Sequence, residues 1–306
     1  MTTADRYHAV DVPVRDGDLR VGVWEPEATS GESLGVPTVL AVHGVTASHR
    51  CWDLVAGQLP GFRVIAPDLR GRGRSNTLPG PFGMAQHADD LADVLDFLGV
   101  GQAVVLGHSM GGHVSVVFAH RHSGRVASLV LVDGGVPVPI LEGISTEALI
   151  AALGPAAERL TMTFPDRETY RQFWRVHPAF VDAWNEAVTD YVDYDLVGLP
   201  PELRSSTSVV ALTEDTADMY LGRAVPEGVQ HLPSPTILLR APRGLMNEEP
   251  GLYAPEWIRH WQEKLPALDV REIAGVNHYT ILLGEVGAAA VRNAVLESVR
   301  RPAAPG

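Results

Sequence analysis

The 306-residue chain holds a single cysteine, Cys51, which excludes an internal disulfide and any multi-thiolate metal site. Basic residues are scarce as well. Against 37 Asp and Glu stand 24 Lys and Arg, a net charge of -13 that disfavours nucleic acid and anionic membrane surfaces as partners. The densest basic stretch, "DLRGRGRS" with Arg70, Arg72 and Arg74, is too short for the stripe a polyanion needs. No uninterrupted apolar run approaches membrane-spanning length, and the opening "MTTADRYHAVDVPVRDGD" has no apolar leader segment, so a cytoplasmic location is the default expectation. What remains is an ordinary globular composition, 45% hydrophobic and 20% charged, enough to bury a sizeable core. The length suits one α/β core carrying one inserted element.

Hydrophobic patterning supports that organisation. "YHAVDVPVRDGDLRVGVWEP" reads as an antiparallel hairpin, two alternating segments about Asp16-Gly17. After the polar loop "EATSGESLG", apolar strands alternate with amphipathic helices: "PTVLAVHG", "CWDLVAGQL", "FRVIAPD", "MAQHADDLADVLDFLG", "QAVVLGHS", "GGHVSVVFAHRH" and "VASLVLVDGG". Near-continuous apolar strands indicate a parallel sheet covered on both faces. The rhythm breaks from Val136 to His231, where helical pattern dominates, and resumes with "PSPTILLRAP", "APEWIRHWQEKLP", "LDVREIAG" and the last helix "GEVGAAAVRNAVLESVR". The expected division is a core of residues 1–135 and 232–306 with a helical cap over 136–231.

Within "VVLGHSMGGH", Gly107-His108-Ser109-Met110-Gly111 satisfies G-x-S-x-G between a strand and a helix. Glycines flank such a serine because the turn is too sharp for a Cβ on either side. A hydroxyl nucleophile needs a base within reach. Of the 12 histidines, His278 is best placed, in the loop after the last strand and before the last helix, at the same sheet edge as Ser109. "AVHGVTAS" puts the His43-Gly44 turn at that edge too, so the N–H of Val45, with that of Met110, would form an oxyanion hole. His43, Gly44 and His108 border this region and are candidate substrate contacts.

The pieces "HGVTAS", "PDLRGRGRS", "GHSMGG", "LVLVDGG" and "GVNHYTILL", in this order, resemble the α/β-hydrolase fold superfamily, in its capped esterase, lactonase and epoxide-hydrolase-like branch. The resemblance implies a mostly parallel eight-stranded sheet flanked by helices, with Asp68 and the nearby arginines structural. It also implies a carboxylate behind the histidine, commonly in G-x-x-D after the strand that follows the cap. Here that stretch reads "TILLRAPRGLMNEEPG", with Gly244 where the aspartate usually stands. Asp133, at the end of the preceding core strand, is the preferred acid; Glu248 and then Glu249 are the alternatives.

The expectation is acyl transfer by Ser109, His278 and the acid, without metal or organic cofactor. The cap is rich in aromatics (Phe164, Tyr170, Phe173, Trp174, Phe180, Trp184, Tyr191) and has no lysine, which points to an uncharged, fairly apolar small-molecule ester or lactone, with Trp174 and Trp184 as candidate pocket residues. Asp190, Asp193 and Asp195 of "YVDYDL" read as a solvated helix face rather than a metal site. Another bond cleaved on the same triad, or a slow-turnover binding protein, are the alternatives. A monomer or homodimer is expected.

Overall fold

In a computed structural model, residues 3–27, 36–140, 143–233 and 235–300 are described. Most of the polar loop after the hairpin and the "RPAAPG" tail lie outside them. The strands are β1 (Tyr7–Val14), β2 (Gly17–Trp24), β3 (Thr38–Val42), β4 (Arg63–Pro67), β5 (Ala103–His108), β6 (Val126–Val132), β7 (Leu196–Val197), β8 (Arg204–Ser205), β9 (Thr236–Arg240) and β10 (Leu268–Glu272). All but β7 and β8 form one eight-stranded sheet in the order β1-β2-β4-β3-β5-β6-β9-β10. The β1–β2 hairpin is antiparallel, as its Asp-Gly turn requires, and β2 meets β4 antiparallel; from β4 to β10 every pairing is parallel.

Alternate residues of each central strand feed two cores. In β5, Val104 and Leu106 join Trp52 and Ile281 on one face, while Val105 joins Leu91 and Val117 on the other. The chain runs from β3 outward to β4 and returns on the other side of β3 as β5, so the sheet reverses its strand order between β3 and β5. The carboxyl ends of those two strands therefore flank a crevice, the usual ligand position in open α/β sheets. Both the His43-Gly44 turn and Ser109 lie there.

Six helices fill the insertion between β6 and β9: Thr146–Ala151, Pro155–Glu158, Arg167–Arg175, Glu186–Asp195, Val209–Leu221 and Ala224–Val229. The long helical run read from "RETYRQFWRVHPAFVDAWNEAVTDYV" is in fact two helices. The first ends at Arg175, three residues before Pro178, a residue type that disfavours helical backbone just ahead of it, and the next starts after Asn185, whose side chain caps the Val188 N–H. Similarly, "PELRSSTSVV" contributes β8, paired antiparallel with β7, before Ser208 caps the next helix. The last two inserted helices pack toward the core: Leu212, Met219, Val225 and Val229 share a cluster with Leu91 and Val117. Among the described residues no helix is long and apolar enough to cross a membrane.

Candidate active site

Ser109 follows β5 and precedes the helix Met110–Arg121, with φ 55° and ψ -124°, a region a non-glycine residue enters only when its surroundings force it. Two glycines make the turn possible. A Cβ on Gly107 would lie 2.4 Å from the Gly111 carbonyl oxygen, and one on Gly111 would lie 2.1 Å from the Val42 carbonyl oxygen. The Ser109 N–H donates to the Val132 carbonyl at 3.0 Å, extending the β5–β6 ladder into the turn.

His278 comes from the loop after β10 and is buried. Its Nδ1 donates to Asp133 Oδ2 at 2.7 Å, and the fully buried Asp133 accepts the Ala241 N–H on Oδ1 at 3.0 Å. The Asp133 N–H in turn reaches the Leu239 carbonyl of β9 at 2.7 Å. With both oxygens bound, the carboxylate has one orientation, and it leaves His278 Nε2 as the free acceptor. Glu248 and Glu249 make no bond to the imidazole. Glu248 is exposed, accepts the Met246 N–H at 2.7 Å and occupies the space beside Gly244, where a Cβ would fall 2.1 Å from its Oε1. Glu249 is exposed and adjoins Pro250.

The turn after β3 is held with equal care. His43 is fully buried and does not border the cavity, so the expectation of a substrate contact there fails. Its Nδ1 donates to the Gly44 carbonyl at 2.8 Å, and its Nε2 accepts the Leu69 N–H at 2.9 Å. Burial drives its pKa down to about 4, so the ring is neutral and in the tautomer this arrangement needs. The Gly44 carbonyl also accepts the Ala47 N–H at 3.2 Å. Because the peptide is planar and trans, fixing that carbonyl fixes the Val45 N–H on its far side. Neither the Val45 nor the Met110 N–H has a protein acceptor among the described residues, and the latter opens a helix whose first N–H groups are unpaired by construction. The geometry thus makes His43 a positioning residue for the Gly44-Val45 peptide.

Two buried arginines tie this turn to the insertion. Arg72 Nε donates to the Val45 carbonyl at 2.9 Å while its guanidinium pairs with Asp215, which also accepts from His87 at 3.0 Å. Arg159 donates to the Thr46 carbonyl at 2.9 Å and to Asp195 at 3.2 Å; Asp195 further binds the Tyr170, Ser205 and Ser206 hydroxyls. Asp195 is therefore a buried anchor and not part of a solvated face, whereas Asp193 pairs with Arg167 and Arg171. Among the described residues no acidic or histidine cluster fits a metal ion. Asp68 is structural as expected, accepting from His49, Arg74 and Tyr194. Arg159→Met leaves Asp195 buried without its cation, and a loss of about 3 kcal/mol in urea unfolding is expected. An unchanged midpoint would show the pair to be dispensable.

Ser109 and His278 open on one cavity of about 400 Å³, with Gly44, Val45 and His108 at its floor. His108 is pinned by donating Nε2–H to the His278 carbonyl at 2.9 Å. The upper walls come from the insertion, notably Val138, Leu149, Leu153, Tyr191 and Met219. Trp174 and Trp184 are absent from them, which corrects the expectation for both. Trp174 is 1% exposed, packed among Phe173, Phe180 and Tyr279 under Arg159, and Trp184 meets Phe180 edge-on with the Arg175 guanidinium over its ring. Large rings in a small insertion satisfy each other before they line a pocket. Cys51 is buried and forms part of the cavity wall. Tyr279 lines the cavity and went unnoticed, although its place beside His278 in the chain was a usable signal.

Residues 37–166 match the alpha/beta hydrolase fold family. A lipase, LipV of Mycobacterium tuberculosis, is 33% identical over 210 residues, 60% of this chain and 77% of that protein. The bifunctional esterase/perhydrolase DCH of Acinetobacter calcoaceticus is 35% identical over 133 residues, 42% of this chain and 46% of that one. Among solved structures, E-2-(acetamidomethylene)succinate hydrolase superposes with a TM-score of 0.73 at 20% identity, covering 94% of this chain and 98% of the other. The chain belongs to the α/β-hydrolase family.

Proposed function

We propose that the protein is a serine hydrolase that cleaves a carboxylic ester or lactone of a fairly apolar small molecule through an acyl-enzyme. The observation that carries the reading is the serine on a strained elbow, sharing a cavity with an imidazole whose far nitrogen is bound to a buried carboxylate. His278 Nε2 takes the Ser109 proton as Oγ attacks the carbonyl carbon, and Asp133 holds the tautomer and steadies the imidazolium. The Val45 and Met110 N–H groups receive the oxyanion. The same imidazole then protonates the leaving alcohol, and a water activated by it releases the acyl group. Gly44 and His108 contact the substrate at the cavity floor. The insertion over residues 136–231 serves as the cap, a reading supported by the side chains it contributes to the wall of the cavity that holds Ser109.

Lipase and esterase relatives favour esters over other acyl bonds. A fluorophosphonate probe is expected to label wild-type protein and not Ser109→Ala, and the same variant is expected to lose about 10⁶ in kcat on p-nitrophenyl esters. Equal labelling of both proteins would remove Ser109 from the chemistry.

A further inference from the structure

The chain has seven tyrosines, and their hydroxyls divide cleanly. Tyr7 is bonded to His49, Tyr170 to Asp195, Tyr194 to Asp68 and Tyr253 to the Val136 carbonyl. The hydroxyls of the other three, Tyr191, Tyr220 and Tyr279, have no hydrogen-bond partner among the described residues, and all three residues line the cavity that holds Ser109. Tyr220 is half-buried. Tyr191 and Tyr279 are 5% and 8% exposed, and neither hydroxyl is among the fully buried polar atoms, so each is open to the cavity.

A hydroxyl that opens on a cavity and has no protein partner is available to a ligand there, and a few such polar groups in a mostly apolar pocket fix a ligand's orientation. Tyr191 and Tyr279 belong to one packed cluster with Cys51, Leu282 and Leu283, on the wall that faces the β10 side loop. The opposite wall is built largely from the other core, with Met219 buried in it and Val138, Leu153, Tyr220 and Leu252 packed against it. Ser109 thus opens between a wall that is alkyl apart from Tyr220 and a wall tipped with two phenols. Burial pushes the Tyr279 phenol up to about 12 and the Tyr191 phenol well above its ordinary value, so both keep their protons and can donate as well as accept. No lysine or arginine lines the cavity among the described residues, and Glu248 is the one carboxylate there. A carboxylate-bearing substrate would meet no counter-ion and one like charge.

We propose that Tyr191 and Tyr279 form a polar subsite that binds a second, uncharged oxygen function of the substrate, a ketone, ether or hydroxyl carried on one side of the scissile carbonyl, while an alkyl group fills the opposite wall. This rests on the acyl-transfer reading and names the substrate class within it: neutral oxo- or oxygen-substituted esters or lactones, in preference to plain alkyl esters and to half-esters of diacids.

The test compares matched substrates in wild type, Tyr191→Phe and Tyr279→Phe. One series is p-nitrophenyl hexanoate against its 5-oxo analogue and p-nitrophenyl hydrogen glutarate; the other is pentyl acetate against 4-oxopentyl acetate. Intrinsic reactivity cancels when the oxo-to-alkyl ratio of kcat/KM is compared between proteins. In one series that ratio is expected to fall about tenfold in at least one phenylalanine variant, the effect of one lost hydrogen bond, and the series that responds tells whether the function sits on the acyl or the alcohol side. Ratios unchanged in both series and both variants, or a preference for the glutarate, would overturn the subsite. Should no ester be turned over and Ser109 escape the fluorophosphonate, acyl transfer itself fails; the subsite is then read by calorimetry of the same pairs on Ser109→Ala. Tighter binding of the oxo compound that is lost with Tyr191→Phe or Tyr279→Phe supports it, and equal affinities sink it.

Discussion

Asp133→Asn is expected to lower kcat on p-nitrophenyl esters by about 10⁴, with KM little changed. Glu248→Gln should stay within about threefold of wild type, an ordinary effect for an exposed side chain. The reason lies in which atoms the carboxylate touches. Asp133 accepts from Ala241 on one oxygen and from His278 on the other. An asparagine there keeps its carbonyl on the Ala241 N–H and turns its NH₂ toward His278 Nδ1. That donor forces the proton onto Nε2, the nitrogen that accepts from Ser109 in the proposed mechanism. Packing is nearly unchanged, so a folded but slow enzyme is the signature. If Glu248→Gln proves the slow one instead, the acid belongs to the loop after β9 and the hydrogen bond seen at Asp133 is structural.

Gly111→Ala is expected to cost about 3 kcal/mol or more of stability, since the overpacking it causes is against backbone and not a flexible side-chain end. Its Cβ would fall 2.1 Å from the Val42 carbonyl oxygen and 2.6 Å from that of His43. Relief requires pushing the helix Met110–Arg121 away from β3, which also separates the Met110 N–H from the Val45 N–H, the pair proposed to receive the oxyanion. Gly61→Ala is the control, because nothing lies within 4 Å of its added Cβ. Urea midpoints for the two variants decide the matter, and equal midpoints would mean that the elbow has slack.

The core was legible because its chemistry is local. Apolar strands such as "VASLVLVD", the Asp16-Gly17 hairpin turn and the glycines about Ser109 each state a backbone requirement within a few residues. The choice of Asp133 over the glutamates depended on something no local pattern carries, namely that β6 pairs with β9 and so brings the Asp133 turn beside Ala241 and the β10 loop. The insertion was the least readable. Its aromatics have helical spacing, but Pro178 and the Asn185 cap redirect the chain, so Trp174 and Trp184 meet rings of their own segment instead of substrate. His43 looked like a contact because it adjoins Gly44. Only three dimensions show both of its nitrogens consumed by backbone.

Placing the acid at the end of β6 also releases the segment after β9 from proton-transfer duty. In that segment Asn247 still bonds to Asn277 and Arg243 to the Gly275 carbonyl, so these two positions buttress the loop that carries His278. Leu245 and Glu248 border the cavity, and Met246 and Glu249 are exposed; these bear no such obligation. Selection, or a mutational library confined to residues 245, 246, 248 and 249, is therefore free to vary the size and charge of the pocket's entrance without touching the reacting groups. With Asp133 as the proposed acid, drift in specificity and loss of turnover are separable in this loop.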